Sequence, residues 1–183
     1  MQTEIIISGF GGQGALFAGQ LLTYAAVDSG KVVTWIPSYG PEMRGGTAHC
    51  TVIVSDEEIG SPLVRQPQAA VVMNLPSLDL YEPRVKSGGV LVVNASMANR
   101  QVRRRDIVAV SLPANEIAES LGDLRMANMV MLGALLDRLP ILSLEAIQQA
   151  LDKHLASRHR DLLEQNGKAL RLGAERAAIK VLG

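Results

Sequence analysis

Between a short apolar run, Ile5-Ile6-Ile7-Ser8, and a helical pattern from Leu16 to about Val27 lies the segment Gly9-Phe10-Gly11-Gly12-Gln13-Gly14-Ala15. That order is what a buried parallel strand, a tight turn and a helix require. The four glycines let the backbone reverse sharply and leave no side chains in the way of a close neighbour. The first N–H groups of a helix have no partner inside it and carry the positive end of its dipole. The turn is therefore a candidate cradle for an anion or a phosphate.

At 183 residues the chain is expected to form one domain with a substantial core, residues 1–183, its body about 1–155 and a C-terminal helix about 158–181. Hydrophobic residues at 48% and charged ones at 20% fit a folded protein and not a disordered one. A formal net charge of zero argues against non-specific binding to nucleic acid or to an anionic membrane. No apolar run reaches the roughly 20 residues that span a bilayer. The start, Met1-Gln2-Thr3-Glu4, has no basic n-region or cleavage site, so a cytoplasmic location is the default expectation. The single cysteine, Cys50, can supply neither a disulfide nor the thiolates of an iron–sulfur cluster or a zinc ribbon. It reads as a small buried hydrophobe, with His49 on the opposite face of the same strand.

Strands are expected at 3–8, 31–36, 47–55, 69–73, 90–94 and 107–111 from their apolar or alternating runs, with Pro37 ending the second. A helix at 13–28 joins the first two strands into a βαβ unit with both strands parallel and a right-handed crossover. Residues 76–86 read as a short helix or turn series interrupted at Pro83. Segments 115–121, 126–139 and 143–155 read as helices, as does the charged, amphipathic stretch 160–181. Met126, Met129 and Met131 read as core filler, Arg103-Arg104-Arg105 as a solvated lead-in to a strand, and His154 and His159 as surface groups. Strands interleaved with helices predict an α/β fold: a three-layer sandwich on a mainly parallel, Rossmann-like sheet, with a helical C-terminal tail.

Gly9-x-Gly11-x-x-Gly14 has the spacing and the strand–turn–helix setting of a dinucleotide fingerprint. That fingerprint also needs a carboxylate at the end of the second strand to hold the ribose. Here the strand ends Trp35-Ile36-Pro37-Ser38, which weakens an NAD(P)-dependent oxidoreductase as the alternative. A second cluster, Ser38-Tyr39-Gly40-Pro41-Glu42-Met43-Arg44-Gly45-Gly46, follows the second strand and should share a sheet edge with the glycine turn. Arg44 offers a planar fork for carboxylate or phosphate, and Tyr39 and Glu42 add polar groups on a loop. Gly45 and Gly46 permit close backbone approach. No Ser/His/Asp set, metal-ligand cluster or close carboxylate pair stands out.

With both loops in view the sequence closely resembles the gamma subunit of the 2-oxoacid:ferredoxin oxidoreductases, a family that includes the pyruvate and 2-oxoglutarate enzymes. The resemblance extends to about Leu155. It rests on Gly9-Phe10-Gly11-Gly12-Gln13-Gly14, on Ser38 to Thr47, on Ser55-Asp56, on Ile59-x-Ser61-Pro62 and on Asn128-Met129-Val130-Met131-Leu132-Gly133. The small subunit of indolepyruvate oxidoreductase is related but lacks the Tyr-Gly-Pro-Glu loop. The resemblance implies a cap beside the active site of an assembly that oxidatively decarboxylates a 2-oxoacid, forms acyl-CoA and CO2, and reduces ferredoxin. Thiamine diphosphate, magnesium and iron–sulfur clusters would lie on alpha, beta and, where present, ferredoxin-like delta subunits, leaving this chain without a catalytic residue, metal or cofactor of its own. Gly11, Gly12, Gln13, Gly14, Tyr39, Glu42, Arg44, Gly45 and Gly46 are then the candidate contacts for coenzyme A or for neighbouring subunits. An isolated chain is expected to be inactive and could pair as a homodimer.

Overall fold

The computed structural model describes residues 1–38, 47–155 and 157–179. Six strands form one sheet: β1 (Gln2–Phe10), β2 (Val32–Ser38), β3 (Thr47–Ser55), β4 (Ala69–Val72), β5 (Val90–Asn94) and β6 (Val108–Leu112). The helices are α1 (Ala15–Asp28), α2 (Leu75–Tyr81), α3 (Ala114–Ser120), α4 (Ala127–Arg138), α5 (Leu144–His154) and α6 (Leu163–Ile179). Strand order is β2-β3-β1-β4-β5-β6. The pairs β1–β4, β4–β5 and β5–β6 are parallel, and β3 runs antiparallel to both its neighbours. The expected mainly parallel α/β sheet with helices on both sides is what forms.

Two details differ from the sequence reading. First, β1 and β2 do point the same way, but β3 is inserted between them, so the βαβ unit skips a position. Strand order depends on pairing between distant segments, and no local pattern encodes it. Second, β2 runs through Pro37 to Ser38 instead of stopping before the proline. A proline in a strand forfeits only its N–H, and β2 is an edge strand where that donor has no ladder to join.

Alternation along each strand divides the core in two. Ile5, Ile7, Cys50, Val52, Val71, Val92 and Val110 point to the face covered by α1, α3, α4, α5 and α6. Ile6, Ala70, Val72, Leu91 and Val93 point to the other face, under Leu78 and Tyr81 of α2 and the strap that carries Ala98, Val102 and Ile107. Burial of this scale is the main favourable term in folding. The three methionines, Met126, Met129 and Met131, are all buried, as read from the sequence.

The tail helix is part of that core. A Cβ placed on Gly133 of α4 would collide with the backbone carbonyl of Leu170, and one on Gly173 of α6 with that of Val130. The two helices cross backbone against backbone, which only glycine allows. On the opposite face the strap is locked by Glu82, buried at the end of α2. Its carboxylate accepts from Arg100 Nη1 at 2.6 Å and from the backbone N–H groups of Arg103 and Arg104. Burial alone would raise the Glu82 pKa, but these donors hold it below the usual carboxylate value. Arg104 also pairs with Asp106, so the middle of the basic run is tied down and only Arg103 and Arg105 are exposed.

Candidate functional site

Connections change sides between the parallel strands β1 and β4: α1 follows β1 onto one face and α2 follows β4 onto the other. Open α/β sheets bind ligands in the crevice beyond the carboxyl ends of such strands. The glycine turn fills one bank of that crevice. Gly14 is the N-cap of α1 at φ 77°, ψ 18°, a left-handed conformation, and no side chain caps the helix. The first turn of α1 has no acidic residue of its own to compete for its outward N–H groups.

The glycines of the turn do different work. A Cβ on Gly9 would come within 2.9 Å of Met73 Cβ on the far bank, so Gly9 permits the close approach of β1's end to β4's. Gly14 needs its positive φ, and a Cβ there would strike the Asn128 carboxamide. No described residue lies within 4 Å of a Cβ placed on Gly11 or Gly12, and Gly12 has a positive φ of 91°. Packing and backbone conformation among the described residues therefore account for Gly9, Gly12 and Gly14 and give no steric reason for Gly11.

Gln13, expected among the binding contacts, turns its amide inward. Its Oε1 accepts from the Phe10 backbone N–H at 2.6 Å and its Nε2 donates to Met73 O at 3.3 Å. Asn94 Nδ2 reaches the same Met73 carbonyl at 3.4 Å and the Asn115 Oδ1 at 2.9 Å. Asn94 Oδ1 accepts from Ala114 N–H at the start of α3, while Asn74 Oδ1 accepts from Ser77 N–H and caps α2. A line of carboxamides thus ties together the ends of β1, β4 and β5 and holds the turn in place. Buried amides bonded at both ends rigidify a rim in this way.

Three hollows of about 230, 320 and 410 Å³ meet at Gly12. The first lies between the turn and α4, with Arg125 and Asn128 on its wall; the second opens toward Met73 and Asn115; the third lies toward Trp35. Arg125 borders two of them, with its guanidinium paired to Asp123 at 2.6 Å and exposed to solvent. Sequence reasoning gave Arg125, Met73 and Asn115 no role. Asn128 was noticed only as part of a helical motif, because its partner Gly14 lies 114 residues away.

The expected contacts Tyr39, Glu42, Arg44, Gly45 and Gly46 lie outside the described residues. Their flanks are defined: Ser38 pairs with His49, and Thr47 pairs with Phe10 at the end of β1. Both flanks therefore end at the sheet edge occupied by the glycine turn. Cys50 is buried against α1, and burial pushes its thiol up to about 11, so it is no nucleophile at neutral pH. His49 sits on the opposite face near Tyr81, and burial lowers its pKa. His154 stacks on Tyr24 and contacts Asp28 at 2.9 Å. Among the described residues no cluster of His, Cys, Asp and Glu could hold a metal, and no helix is long and apolar enough to cross a membrane.

Residues 4–176 match the pyruvate ferredoxin/flavodoxin oxidoreductase family. The chain belongs to that family. It is 38% identical over its full length to the ketoisovalerate oxidoreductase subunit VorA of Methanothermobacter thermautotrophicus, yet spans only 38% of that protein. It is 39% identical to the 2-oxoglutarate synthase subunit KorC of Methanothermobacter marburgensis over 82% of this chain and 85% of that one. The keto/oxoacid ferredoxin oxidoreductase gamma subunit of Geobacter sulfurreducens superposes with a TM-score of 0.83 at 31% identity, covering 97% of this chain and 99% of that structure. The family expectation drawn from the two loops is borne out, and the match extends past Leu155 through most of α6.

Proposed function

We propose that this chain is the gamma-type subunit of a 2-oxoacid:ferredoxin oxidoreductase, with its glycine-turn edge capping the active site and contacting coenzyme A. The observation that carries the ligand part is the pair Gly11–Gly12. No described residue would meet a Cβ on either, at the head of α1, where three hollows converge. Such a site suits the phosphates of coenzyme A, since helix N–H groups and a nearby cation favour negative charge. Arg125, released from Asp123, and Arg44 of the neighbouring loop would supply the cation. The relatives named for ketoisovalerate and 2-oxoglutarate support a 2-oxoacid as the substrate class of the assembly.

An iron–sulfur cluster does not fit these residues, since one buried thiol cannot replace four thiolates. The redox centres and the thiamine chemistry therefore belong to partner chains, and what this chain does is bind, orient and exclude water. An independent NAD(P) enzyme fits less well. The strand that should carry a ribose-binding carboxylate has none, and β3 separates it from β1.

Purification of the chain from its host should bring thiamine-dependent and iron–sulfur subunits with it, and the isolated chain should form no acyl-CoA. In the reconstituted assembly, Arg44→Ala and Gly12→Leu should each raise the KM for coenzyme A. Recovery of the chain without such partners, or full activity of both variants in an intact assembly, would refute the reading.

A further inference from the structure

At the end of the sheet opposite the glycine turn, where β4, β5 and β6 begin, three segments interlock. They are the approach to β4 (61–68), the link from α2 to β5 (82–89) and the lead-in to β6 (103–107). Lys86 N–H donates to Pro67 O at 2.9 Å, Gly88 N–H to Asp106 O at 2.7 Å and Val108 N–H to Gly89 O at 2.8 Å. The two carboxylates on these segments are already engaged: Glu82 binds Arg100, and Asp106 binds Arg104. The exposed pair Glu57-Glu58 follows directly on β3, which β1 separates from β4. Arg84 lies over the Tyr81 ring at 5.7 Å.

Four cations remain. Arg65, Lys86, Arg103 and Arg105 are exposed, and none has an ion-pair partner among the described residues. Leu63, two residues before Arg65, is 83% exposed, more than any other large hydrophobic side chain among the described residues. Val108, which opens the edge strand β6, is exposed as well. In the free chain these like charges repel and the leucine meets only water. An apolar anchor ringed by unpaired arginines has the composition of a protein interface, where buried apolar groups hold and charges select the partner. None of the three hollows around Gly12 includes these residues, and the cations are spread over three segments, which suits a surface better than one small anion. The chain's net charge of zero offers no general attraction to nucleic acid.

We infer that this edge docks an acidic surface of a partner subunit, with Leu63 entering an apolar pocket and the four cations facing carboxylates around it. The inference rests on the subunit reading above and adds where the assembly grips the chain, at the end of the sheet opposite the coenzyme A crevice. The chain spans only 38% of the VorA relative, so in that protein a longer polypeptide adjoins the same unit. The competing explanation for Arg103 and Arg105 is protection of the β6 edge, since charges beside a free strand edge block pairing with other chains. That leaves Leu63 unexplained, and glutamate would guard the edge as well as arginine does.

The test measures association of the full chain with the remaining subunits of its assembly at low and high salt. The double reversal Arg103→Glu with Arg105→Glu should slow association about tenfold at low ionic strength, and about 0.5 M salt should remove most of the difference. Leu63→Ser should speed dissociation about tenfold at either salt concentration. Reversal of Lys168 and Arg171, exposed cations on α6, should leave both rates unchanged. All three variants should melt with the wild type, since the substituted side chains are exposed. If the double reversal and Leu63→Ser both associate as the wild type does, the docking surface is refuted while the subunit reading stands. If the wild-type chain itself binds no such subunits, both readings fail together. Loss of binding to a random-sequence DNA duplex, with subunit association intact, would reassign the edge to nucleic acid and overturn the inference.

Discussion

Glycines do opposite work at the two places where this chain most needs them. At the α4–α6 crossing, Gly133 and Gly173 are glycines because the space is full: a Cβ on either would land on a backbone carbonyl of the other helix. At the head of α1, no described residue would meet a Cβ on Gly11 or Gly12, and Gly12 is held to glycine by its φ of 91° and not by a close neighbour. Full space explains a glycine by packing. Open space at Gly11 is what the proposed coenzyme A contact would use, beside the hollows that meet at Gly12. Stability and binding should therefore respond separately to substitutions at the two places.

The largest effect is expected at the crossing. Gly133→Ala or Gly173→Ala must push two backbones apart, and overpacking of this kind costs about 3 kcal/mol or more where no side chain can yield. Urea or thermal unfolding should show the loss. Coenzyme A affinity per folded molecule should change much less, because neither glycine lines the hollows around Gly12. A variant that lowered affinity without lowering stability would break the division.

Gly14 belongs to both classes and should come next. Its positive φ costs a side chain about 1–2 kcal/mol, and the collision with Asn128 adds to that. Gly14→Ala is thus expected to lose about 2–3 kcal/mol and also to weaken coenzyme A binding, since the helix head and Asn128 shift together. Circular-dichroism melts combined with the KM for coenzyme A would show both losses. A fall in stability alone would make Gly14 a packing glycine only.

How far each part could be read in advance follows the same division. The turn was legible because strand, glycines and helix are contiguous, so a local pattern carries the geometry. Element positions along the chain were legible for the same reason, and β3 and β5 were placed to the residue. The insertion of β3 between β1 and β2 was not, because pairing over such distances leaves no local trace. Nor was the seat of α6: it read as a charged, amphipathic tail helix with no packing partner assigned, and Gly173, which lets it dock, looks from sequence like a weak point in a helix. At the site, Gln13 was identified as a contact; it borders two of the hollows, while its amide bonds to Phe10 and Met73 brace the turn. Asn128 and Arg125 came into the site only when folding brought α4 against the turn.

The smallest change in stability should accompany the most telling change in binding. Gly11 has no positive φ, and no described residue lies within 4 Å of a Cβ placed there, so Gly11→Ala should alter stability by no more than about 0.5 kcal/mol. Nothing among the described residues requires glycine at this position. If a phosphate or a partner backbone approaches the turn, a methyl group there stands between it and the helix N–H groups. Coenzyme A KM, or assembly with the partner subunits, should then worsen severalfold in a protein whose melting temperature is that of the wild type. Measuring both quantities on one preparation separates the two approaching groups. A raised KM in a fully assembled complex identifies the ligand, and failure to assemble identifies the partner chain. Unchanged KM and unchanged assembly would mean that empty space beside a glycine carries no functional information in this fold.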